Sequence, residues 1–420
     1  MKKLVFMILG MIMVLSACSS TGIQNNQDPS GDAMSHHAVL KTQPIVPLDT
    51  GFVNAVNGFG FKAASLLYDT ENNFAFSPSS IELALCMTRA GAAGDTAAAM
   101  ATTLGLTDLS DEAIIDACRS LMWRANTGGM EAANAIWLSK EYTFSDDFVN
   151  TCTEEFMADA FPLVIPGAKD AVNGWAKEKT HGRISDIISE ELPDETRIVL
   201  ANALYYLGDW ERPFDANNTW DDVFTSPGGQ VTAPFMHSDW WVPYYQNDDF
   251  SMITLNFKSD DDEGQYAMAF LLPAEGKKIS DMLKTLNADT FSKALEDAVE
   301  QEVWIKLPKF EFSYFTKLKE TLTDMGMGRA FSISDADFSA MTQEPNEIYI
   351  GEVLHKCYIR VDELGAEAAA VTMAVALDGA APMEEEPAKF YADRPFVFAI
   401  YSLEDGTISF MGAVNDPTAE

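Results

Sequence analysis

Hydrophobic and polar positions follow two different periods along this chain, and each period predicts one kind of element. Apolar residues recur every three to four positions in some segments, which favours amphipathic helices, and alternate or run on continuously in others, which favours strands. The helical period predicts helices at residues 52–68, 82–90, 171–181, 279–299 and 316–326. The strand pattern predicts strands at residues 134–138, 197–206, 234–237, 252–257, 266–273, 303–310, 349–361, 394–400 and 408–414.

Residues 361–377 carry a pattern that stands apart from the rest. Every second position from residue 366 is small and uncharged, and this set consists of Ala366, Ala368, Ala370, Thr372, Ala374 and Ala376. Because a strand directs alternate residues to one face, the segment can lie in a sheet with its small side covered. The residues that follow, with Gly379, Pro382 and three consecutive glutamates, read as an exposed loop. This combination is typical of a strand that moves, although an alanine-rich run also favours a helix or a linker.

The first residues resemble the signal of a bacterial lipoprotein. Two lysines follow Met1, and residues 4–15 are apolar but too few to span a membrane as a helix. Cys18 stands where this run ends, directly after small residues. The resemblance implies a signal peptide at residues 1–17, a lipid on Cys18 and a flexible tether over residues 18–50. It implies export to the outer membrane, on the periplasmic or the cell-surface side; a secretory leader with a chance cysteine is the alternative.

The charge of the chain is strongly negative. The 28 basic and 64 acidic residues give a formal net charge of -36, and loss of Lys2 and Lys3 with the leader would make it -38. Such a chain is expected not to bind nucleic acid, polyanions or anionic lipid through its charge. Contact with a membrane is therefore expected only through the lipid anchor. The 47% of hydrophobic residues suffice for a substantial core.

No pattern for a metal, a nucleotide or another cofactor is present in the sequence. After Cys18, the remaining four cysteines are separated by 32, 34 and 205 positions, unlike a zinc site or a Cys-x-x-Cys pair. Cys86 and Cys357 lie in apolar contexts and are expected to be inert buried thiols. His36 and His37 have no further ligand nearby in the sequence. Export would permit disulfides, but the spacing leaves their pairing open.

Three stretches together resemble the serpins, the serine protease inhibitors that trap their target. Residues 363–370 read Glu-Leu-Gly-Ala-Glu-Ala-Ala-Ala, like the hinge of the serpin reactive loop. Residues 73–81 read Asn-Phe-Ala-Phe-Ser-Pro-Ser-Ser-Ile, like the start of the second helix of the family. Residues 207–214 read Leu-Gly-Asp-Trp-Glu-Arg-Pro-Phe, close to a family signature. Similar matches run from residue 52 to residue 417, so neither an internal repeat nor a second domain is needed.

The resemblance implies an α+β serpin fold in a single domain, residues 51–417. A large central mixed β-sheet, two smaller sheets, about eight or nine helices and an exposed reactive-centre loop at about residues 363–388 are expected. The hinge would be formed by Glu363, Gly365, Ala366, Glu367, Ala368, Ala369 and Ala370. A hydrogen-bonded cluster beneath the central sheet, the shutter, would consist of Ser77, Ser80, Asn202 and His355. Trp210 matches the tryptophan at the breach, where the loop first enters the sheet.

The resemblance also implies the function, which is inhibition of serine and in some cases cysteine endopeptidases by suicide-substrate trapping. A protease acylates the loop, and the cleaved N-terminal side then inserts into the large sheet and carries the protease across the molecule. The small side chains on one face, the glycine pivot and the absence of proline between Gly365 and Ala381 suit such insertion. We therefore expect a monomeric inhibitor, not an enzyme. A non-inhibitory serpin-fold lipoprotein with a binding or structural role is the alternative.

The sequence leaves several candidates for the bond that the protease cleaves. The usual spacing of about sixteen residues after Glu363 gives the bond between Gly379 and Ala380, with Leu377 and Asp378 as neighbouring candidates. Counting back from the strand after the loop points about three residues further on. The small side chains indicate an elastase-like or subtilisin-like target, whereas cleavage at Asp378 would indicate an Asp-specific protease.

The residue types of a hydrolase triad also occur, in Ser77, His355 and Asp362. On one extended strand, however, Asp362 would lie ~23 Å from His355, which is too far to orient the imidazole. No strained nucleophile turn is visible either. The sequence therefore does not favour an enzyme.

Overall fold

The computed structural model describes residues 36–38, 47–127, 130–206, 208–259, 266–342, 347–366 and 386–419. The predicted signal peptide, Cys18, most of the predicted tether and residues 367–385 of the predicted loop lie outside the described residues. Within the described ranges, no helix has the length and the apolar content needed to cross a membrane.

Capping side chains fix where several of the described helices begin. The α-helices are α1 (Thr50–Leu67), α2 (Pro78–Arg89), α3 (Gly94–Leu104), α4 (Asp111–Thr127), α5 (Asp146–Asn150), α6 (Ala168–Lys179), α7 (Ile279–Met282), α8 (Ala288–Glu296) and α9 (Lys319–Leu322). Shorter helical turns of other types lie at Thr151–Glu155, Ala216–Asn218, Thr323–Met327 and Gly328–Phe331. Ser77 caps α2 by accepting a hydrogen bond from the backbone of Ser80, and Pro78 occupies the first position, where no N–H is needed.

The described strands form three sheets. They are β1 (Phe74–Phe76), β2 (Met130–Ser139), β3 (Asp159–Leu163), β4 (Ile198–Tyr206), β5 (Gly208–Asp209), β6 (Thr219–Ser226), β7 (Gly229–Gln246), β8 (Phe250–Asn256), β9 (Tyr266–Pro273), β10 (Val299–Pro308), β11 (Phe310–Lys317), β12 (Ile350–Val361), β13 (Gly365–Ala366), β14 (Ala388–Tyr391), β15 (Phe396–Ser402) and β16 (Ile408–Val414). A five-stranded sheet has the order β11-β12-β4-β2-β3. A nine-stranded sheet has the order β1-β16-β15-β9-β8-β7-β10-β14, with β6 paired to β7, and β13 pairs with β5.

Both faces of β4 are covered, which explains the nearly unbroken apolar run along this strand. Ile198 and Leu200 belong to the core shared with α1 and α2, whereas Val199 and Ala201 belong to the core shared with α6. A strand that is buried on both faces needs apolar residues at every position rather than at alternate ones. The polar side chain of Asn202, which lies inside this run, therefore needs a partner inside the protein.

The architecture agrees with the expected α+β fold, with a mixed central sheet, further sheets and nine α-helices among the described residues. The predicted helices over 52–68, 82–90 and 171–181 correspond to α1, α2 and α6. The predicted strands over 394–400 and 408–414 correspond to β15 and β16, which pair antiparallel. One detail differs, because the 18-residue strand β7 joins the two expected smaller sheets into the nine-stranded one.

Two predicted helices have different bounds in the structure. The segment 279–299 forms two short helices, because Asn287 and Thr290 make a capping box that starts α8 anew; Val299 already belongs to β10. The segment 316–326 is shorter than predicted, because β11 continues to Lys317 in register with β12. A capping box in the first place, and pairing with the distant strand β12 in the second, outweigh the helical period of the apolar residues.

Candidate functional site

The middle of the five-stranded sheet is a direct parallel pairing of β4 with β12. The register runs from Ile350 opposite Ile198 to Tyr358 opposite Tyr205, and it places His355 opposite Asn202. On the outer sides, β2 and β3 continue the sheet beyond β4, and β11 continues it beyond β12. We call this pairing the seam, because it divides the sheet into the group β3-β2-β4 and the group β12-β11.

A chain of polar side chains crosses the seam. Nδ1 of His355 lies 2.7 Å from Oδ1 of Asn202, and Nε2 of His355 accepts a hydrogen bond from the backbone N–H of Ser77 at 3.2 Å. Because Nε2 accepts, the proton of the neutral ring resides on Nδ1 and is donated to Asn202. Nδ2 of Asn202 donates in turn to Oδ1 of Asn134 on β2 at 2.8 Å. These bonds connect the start of α2 with three strands of the sheet.

Ser77 joins this network to the nine-stranded sheet. Its Oγ donates to the carbonyl of Ser409 on β16 at 2.6 Å and accepts from the backbone N–H of Ser80 at 3.1 Å. Ser77 and His355 are fully buried and Asn202 is 3% exposed. Polar groups buried to this degree depend on protein partners. Breaking any bond of the network therefore leaves a buried polar group without a partner, which costs free energy.

The imidazole of His355 is neutral. Complete burial lowers the pKa of His355 to about 3, because the charged ring would lose its hydration. Only the neutral ring can donate to Asn202 and accept from Ser77 at the same time. Protonation would place an N–H of the ring against the N–H of Ser77 and break the network on that side.

At the end of β12, the chain turns sharply into the two-residue strand β13. The N–H of Asp362 donates to the carbonyl of Gly365 at 3.0 Å, and Oδ1 of Asp362 accepts from the N–H of Leu364 at 2.9 Å. β13 then pairs antiparallel with β5, which follows β4 in the sequence. Gly365 and Ala366 thus already run beside the continuation of β4, in the opposite direction.

Gly365 occupies a position that no other residue type fits. Its φ is +144°, a conformation that residues with a side chain rarely adopt. A Cβ at this position would lie 2.1 Å from the carbonyl oxygen of Gly208 and 2.7 Å from Cα of Asp209. The pairing of β13 with β5 therefore depends on the absence of a side chain at residue 365.

Trp210 also holds the turn, through its side chain and through its backbone. Its indole Nε1 donates to the carbonyl of Asp362 at 3.0 Å, and its backbone N–H donates to the carbonyl of Leu364 at 2.7 Å. The ring stacks on Phe257 with 4.7 Å between the centroids, and the side chain is buried. A single rigid side chain thus fixes the turn against the end of β8.

Each carboxyl group of the turn lies within ion-pair distance of a basic side chain. Oε2 of Glu363 lies 2.7 Å from Nζ of Lys309, and Oδ2 of Asp362 lies 2.7 Å from Nη2 of Arg360. Burial acts to raise the pKa of Glu363, but its hydrogen bonds and the Lys309 charge outweigh this effect and lower the pKa. The backbone carbonyl of Glu363 also accepts from Phe214 at 2.8 Å.

The structure brings the predicted residues together in two places. Ser77, Asn202 and His355 share one network, which Ser80 joins through its backbone N–H. Trp210 and Gly365 meet at the turn, and β13 ends at Ala366. The other predicted hinge residues and the candidates for the cleaved bond lie outside the described residues: Glu367, Ala368, Ala369, Ala370, Leu377, Asp378, Gly379 and Ala380.

The three residues of the triad alternative do not form a catalytic arrangement. Nε2 of His355 receives the backbone N–H of Ser77, while the Ser77 hydroxyl donates to the carbonyl of Ser409. The carboxylate of Asp362 is bonded to Arg360 and to the backbone of Leu364. No base is therefore placed to activate the Ser77 hydroxyl.

Several residues that take part in the site were not predicted from the sequence. Asn134 lies opposite Asn202 in the register of β2 with β4, and a polar residue at the start of the predicted strand 134–138 was an available signal. Ser409 takes part through its carbonyl, which leaves no trace in the residue type. Lys309 precedes Phe310 at the junction of two strands, and nothing in the local sequence points to Glu363.

The described cysteines and acidic residues show no further chemistry at this site. All four described cysteines are buried free thiols, and burial raises the pKa of Cys152 and of Cys357. Over the described ranges, no group of three His, Cys, Asp or Glu side chains is arranged to hold a metal ion.

Comparison with known proteins gives consistent matches over the whole domain. The family model for "Serpin (serine protease inhibitor)" matches residues 54–417. A serpin-like protein of Thermococcus kodakarensis is 35% identical over 436 aligned residues, which cover 99% of each chain. Intracellular coagulation inhibitor 2 of Tachypleus tridentatus is 31% identical over 86% of this chain and 90% of its own. The crystal structure of the thermophilic serpin tengpin in the native state superposes with a TM-score of 0.82 at 29% identity, covering 91% of this chain and 97% of tengpin.

The neutral state of His355 makes the stability of the sheet depend on pH. The pKa of His355 is about 3 in the folded protein and roughly 6.5 in the unfolded chain, so acid favours unfolding as the pH falls below roughly 6.5. We expect this group to remove about 2 kcal/mol of folding free energy between pH 7 and pH 5. Guanidinium unfolding midpoints at both pH values, measured for the protein and for His355→Gln, test this. The variant should lose that part of the pH dependence, whereas substitution of the exposed His36 by Gln should keep it. An equal change of the unfolding midpoint between the two pH values in all three proteins would contradict the assignment to His355.

Replacement of Gly365 by alanine should separate β13 from β5. We expect a loss of at least about 2 kcal/mol of stability, since strained φ and a close backbone contact act together. Hydrogen exchange should report faster exchange of the amides at residues 208–210 and 364–366. Gly182→Ala is the matched control, because Gly182 has a φ of +84° but nothing within 4 Å of a Cβ. Unchanged protection in Gly365→Ala would show that the close approach is not needed.

Proposed function

This chain belongs to the serpin family, and from that premise we propose that it inhibits serine endopeptidases as a suicide substrate whose cleaved loop inserts at the seam. Family membership carries the general expectation of protease inhibition rather than catalysis. The finer proposal rests on one observation, the direct parallel pairing of β4 with β12. A strand that enters between them and runs antiparallel to both would replace one ladder of hydrogen bonds by two.

Insertion would begin at β13. Gly365 and Ala366 already pair with β5, so the next residues need only continue along β4. As the strand advances, the hydrogen bond between Asn202 and His355 must break, because these residues lie opposite each other across the seam. The network therefore acts as the barrier that keeps the sheet closed, and its loss is offset by the new ladders and by burial of the inserted side chains.

The chemical step belongs to the protease. Its serine attacks the carbonyl of the scissile residue, the amine of the next residue leaves, and an ester joins the protease to the N-terminal part of the loop. Insertion of this part carries the attached protease towards the opposite end of the sheet, and distortion of its active site prevents hydrolysis of the ester. A cysteine endopeptidase would form the corresponding thioester.

The target is proposed from the loop and from the charge of the chain. Cleavage between Gly379 and Ala380, with Leu377 and Asp378 as neighbouring alternatives, would suit an elastase-like or subtilisin-like enzyme that accepts small side chains. The net charge of -36 would attract an enzyme with a basic surface. The resemblance of residues 1–17, followed by Cys18, to a lipoprotein signal supports export and attachment to the outer membrane, so the target would be met in the periplasm or outside the cell.

Incubation with proteases of different specificity tests the proposed function. The protein is mixed with elastase, subtilisin and trypsin, and the products are separated on denaturing gels after boiling. We expect a band with the summed mass of inhibitor and protease for at least one enzyme, and mass spectrometry of the released C-terminal fragment identifies the cleaved bond. Clean cleavage without such a band for every enzyme, together with no gain of thermal stability after cleavage, would favour the non-inhibitory alternative.

A charge on the inserting face of the loop should convert the inhibitor into a substrate. Ala368 belongs to the set of small alternate residues, and an arginine there would have to be buried without a partner. We expect Ala368→Arg to reduce the yield of trapped protease at least about tenfold, while cleavage of the loop continues. Ala369→Arg is the matched control, since residue 369 belongs to the other face with Glu367 and should trap normally. Equal yields for the two variants would contradict insertion in this register.

A further inference from the structure

Three residues within the predicted tether lie against the outer edge of the five-stranded sheet. The N–H of His36 donates to the carbonyl of Ala160 on β3 at 2.8 Å, and the N–H of Ala160 donates back to the carbonyl of His36 at 2.8 Å. This reciprocal pair of bonds is that of two antiparallel strands. Because β3 is the last strand of this sheet among the described residues, with β2 on its other side, residues 36–38 occupy the place of a further strand.

The carboxylate of Asp159, the residue before Ala160, joins this segment to α6. Oδ1 of Asp159 accepts from the N–H of Ala38 at 2.9 Å. Its Oδ2 accepts from the indole Nε1 of Trp175 at 2.9 Å and lies 2.8 Å from Nζ of Lys179, and both of these residues belong to α6. Asp159 is 1% exposed, so these partners replace water around a buried charge. Burial acts to raise the pKa of Asp159, but the hydrogen bonds from Lys179 and from the backbone of Ala38 outweigh this effect and lower the pKa.

The side chain of His37 adds two contacts at the same place. Its Nδ1 lies 3.5 Å from Oδ1 of Asp159, and its ring meets Phe161 of β3 edge to face, with 5.7 Å between the centroids. Phe161 packs in turn against Trp137 of β2. The segment therefore contacts β3 through both its backbone and a side chain, and Asp159 links it to α6. We call residues 36–38 in this position the clasp.

β3 and α6 both lie on the side of the seam that would have to move when a strand is inserted. β3 pairs with β2 and β2 pairs with β4, so these three strands form one group. Val172 and Trp175 of α6 share a core with Trp137 of β2, Val199 of β4 and Leu354 of β12. The helix thus covers the seam on one face, and opening of the seam has to change its position relative to at least one group of strands. A contact that fixes α6 to the edge of β3 favours the closed arrangement.

We propose that residues 36–38 bind the edge of β3 as an intramolecular clasp, which holds β3 and α6 in the closed arrangement and slows opening of the seam. The slowing of loop insertion rests on the proposed function. The occupant of this edge is a segment of the chain itself, because its backbone supplies an N–H to the carbonyl of Ala160 and another to the carboxylate of Asp159. A segment that binds one arrangement more tightly than the other shifts the equilibrium by that difference in affinity. Loss of the clasp should therefore favour insertion without any change at the seam.

The docking is tested with Ala38→Pro, since proline lacks the N–H that Asp159 accepts. Proline also favours an extended conformation of the preceding residue, which a paired strand requires. Ala38→Ser is the matched control, because serine keeps the N–H. Hydrogen exchange of the Ala160 amide, which donates to His36, reports the pairing. We expect this amide to exchange at least about tenfold faster in Ala38→Pro and at the unchanged rate in Ala38→Ser.

A second variant keeps this test decisive. His36→Pro combined with Ala38→Pro removes both N–H groups that the clasp donates to β3. Both residues lie at the edge of the sheet and outside its core, so the rest of the fold should be retained. Unchanged exchange of the Ala160 amide in the double variant would overturn the docking.

The effect on the seam is measured with the unchanged protein, Ala38→Pro and Ala38→Ser. Each protein is held at elevated temperature without protease, and samples are probed at intervals with added elastase. We expect the loop of Ala38→Pro to become resistant to cleavage at least about tenfold faster than that of the other two proteins. Equal rates in proteins whose exchange at Ala160 differs would overturn the restraint on the seam.

The same proteins separate this inference from the proposed function. A difference between these rates, with no protease trapped by any of the three proteins, would count against the proposed function alone. Loops that stay cleavable in all three proteins would overturn insertion and, with it, the restraint on insertion. The docking of residues 36–38 on β3 is decided in every case by the exchange at Ala160.

Discussion

The hydrogen bond between His355 and Asn202 is the contact on which the closed state of the central sheet depends. It joins the two middle strands directly, and both residues are held further by Ser77 and by Asn134. Burial keeps the imidazole neutral, so the ring can donate on one side and accept on the other. Because every group in this network has its partner inside the protein, parting the strands leaves several polar groups unsatisfied at once. The sheet is therefore closed by a cooperative set of bonds rather than by one contact.

The turn after β12, at the end of the seam, favours a different pairing, that of β13 with β5. Trp210 and the turn around Asp362 hold the chain so that β13 already lies beside β5. Gly365 allows this because its missing side chain leaves room for the backbone of Gly208. In the proposed insertion, pairing would start at β13 and would extend along β4 only after the network at Asn202 gives way. The contacts of the closed sheet are thus individually favourable. Under the proposed insertion, an added strand between β4 and β12 would form one more ladder of hydrogen bonds than the closed sheet has.

Much of the fold followed from local patterns, and each departure has an identifiable hydrogen-bonding cause. The apolar run over 197–206 predicted a strand, and residues 73–81 resembled the start of the second helix of a family; β4 and the start of α2 agree with this. The helix predicted over 279–299 is interrupted because Asn287 satisfies the first backbone donors of α8. The helix predicted over 316–326 lost its first residues because β11 pairs with β12 up to Lys317. Of the site, the resemblance to a family supplied Ser77, Asn202, His355 and Trp210, whereas Asn134 and Lys309 appeared only in the structure.

The sequence by itself determined the features that depend on neighbours a few residues away. These are the periods of the elements, the caps, the alternation of small residues after Gly365 and the negative charge of the chain. The tertiary structure alone decided which polar groups meet: that Nε2 of His355 faces the N–H of Ser77, that Asn202 bridges two strands, and that Glu82 has no hydrogen-bond partner among the described residues. The reason is physical. A repeating pattern expresses which face of an element is buried, but hydrogen bonds and desolvation arise between elements that are far apart in the chain, and a residue type does not state the partner that packing will give it.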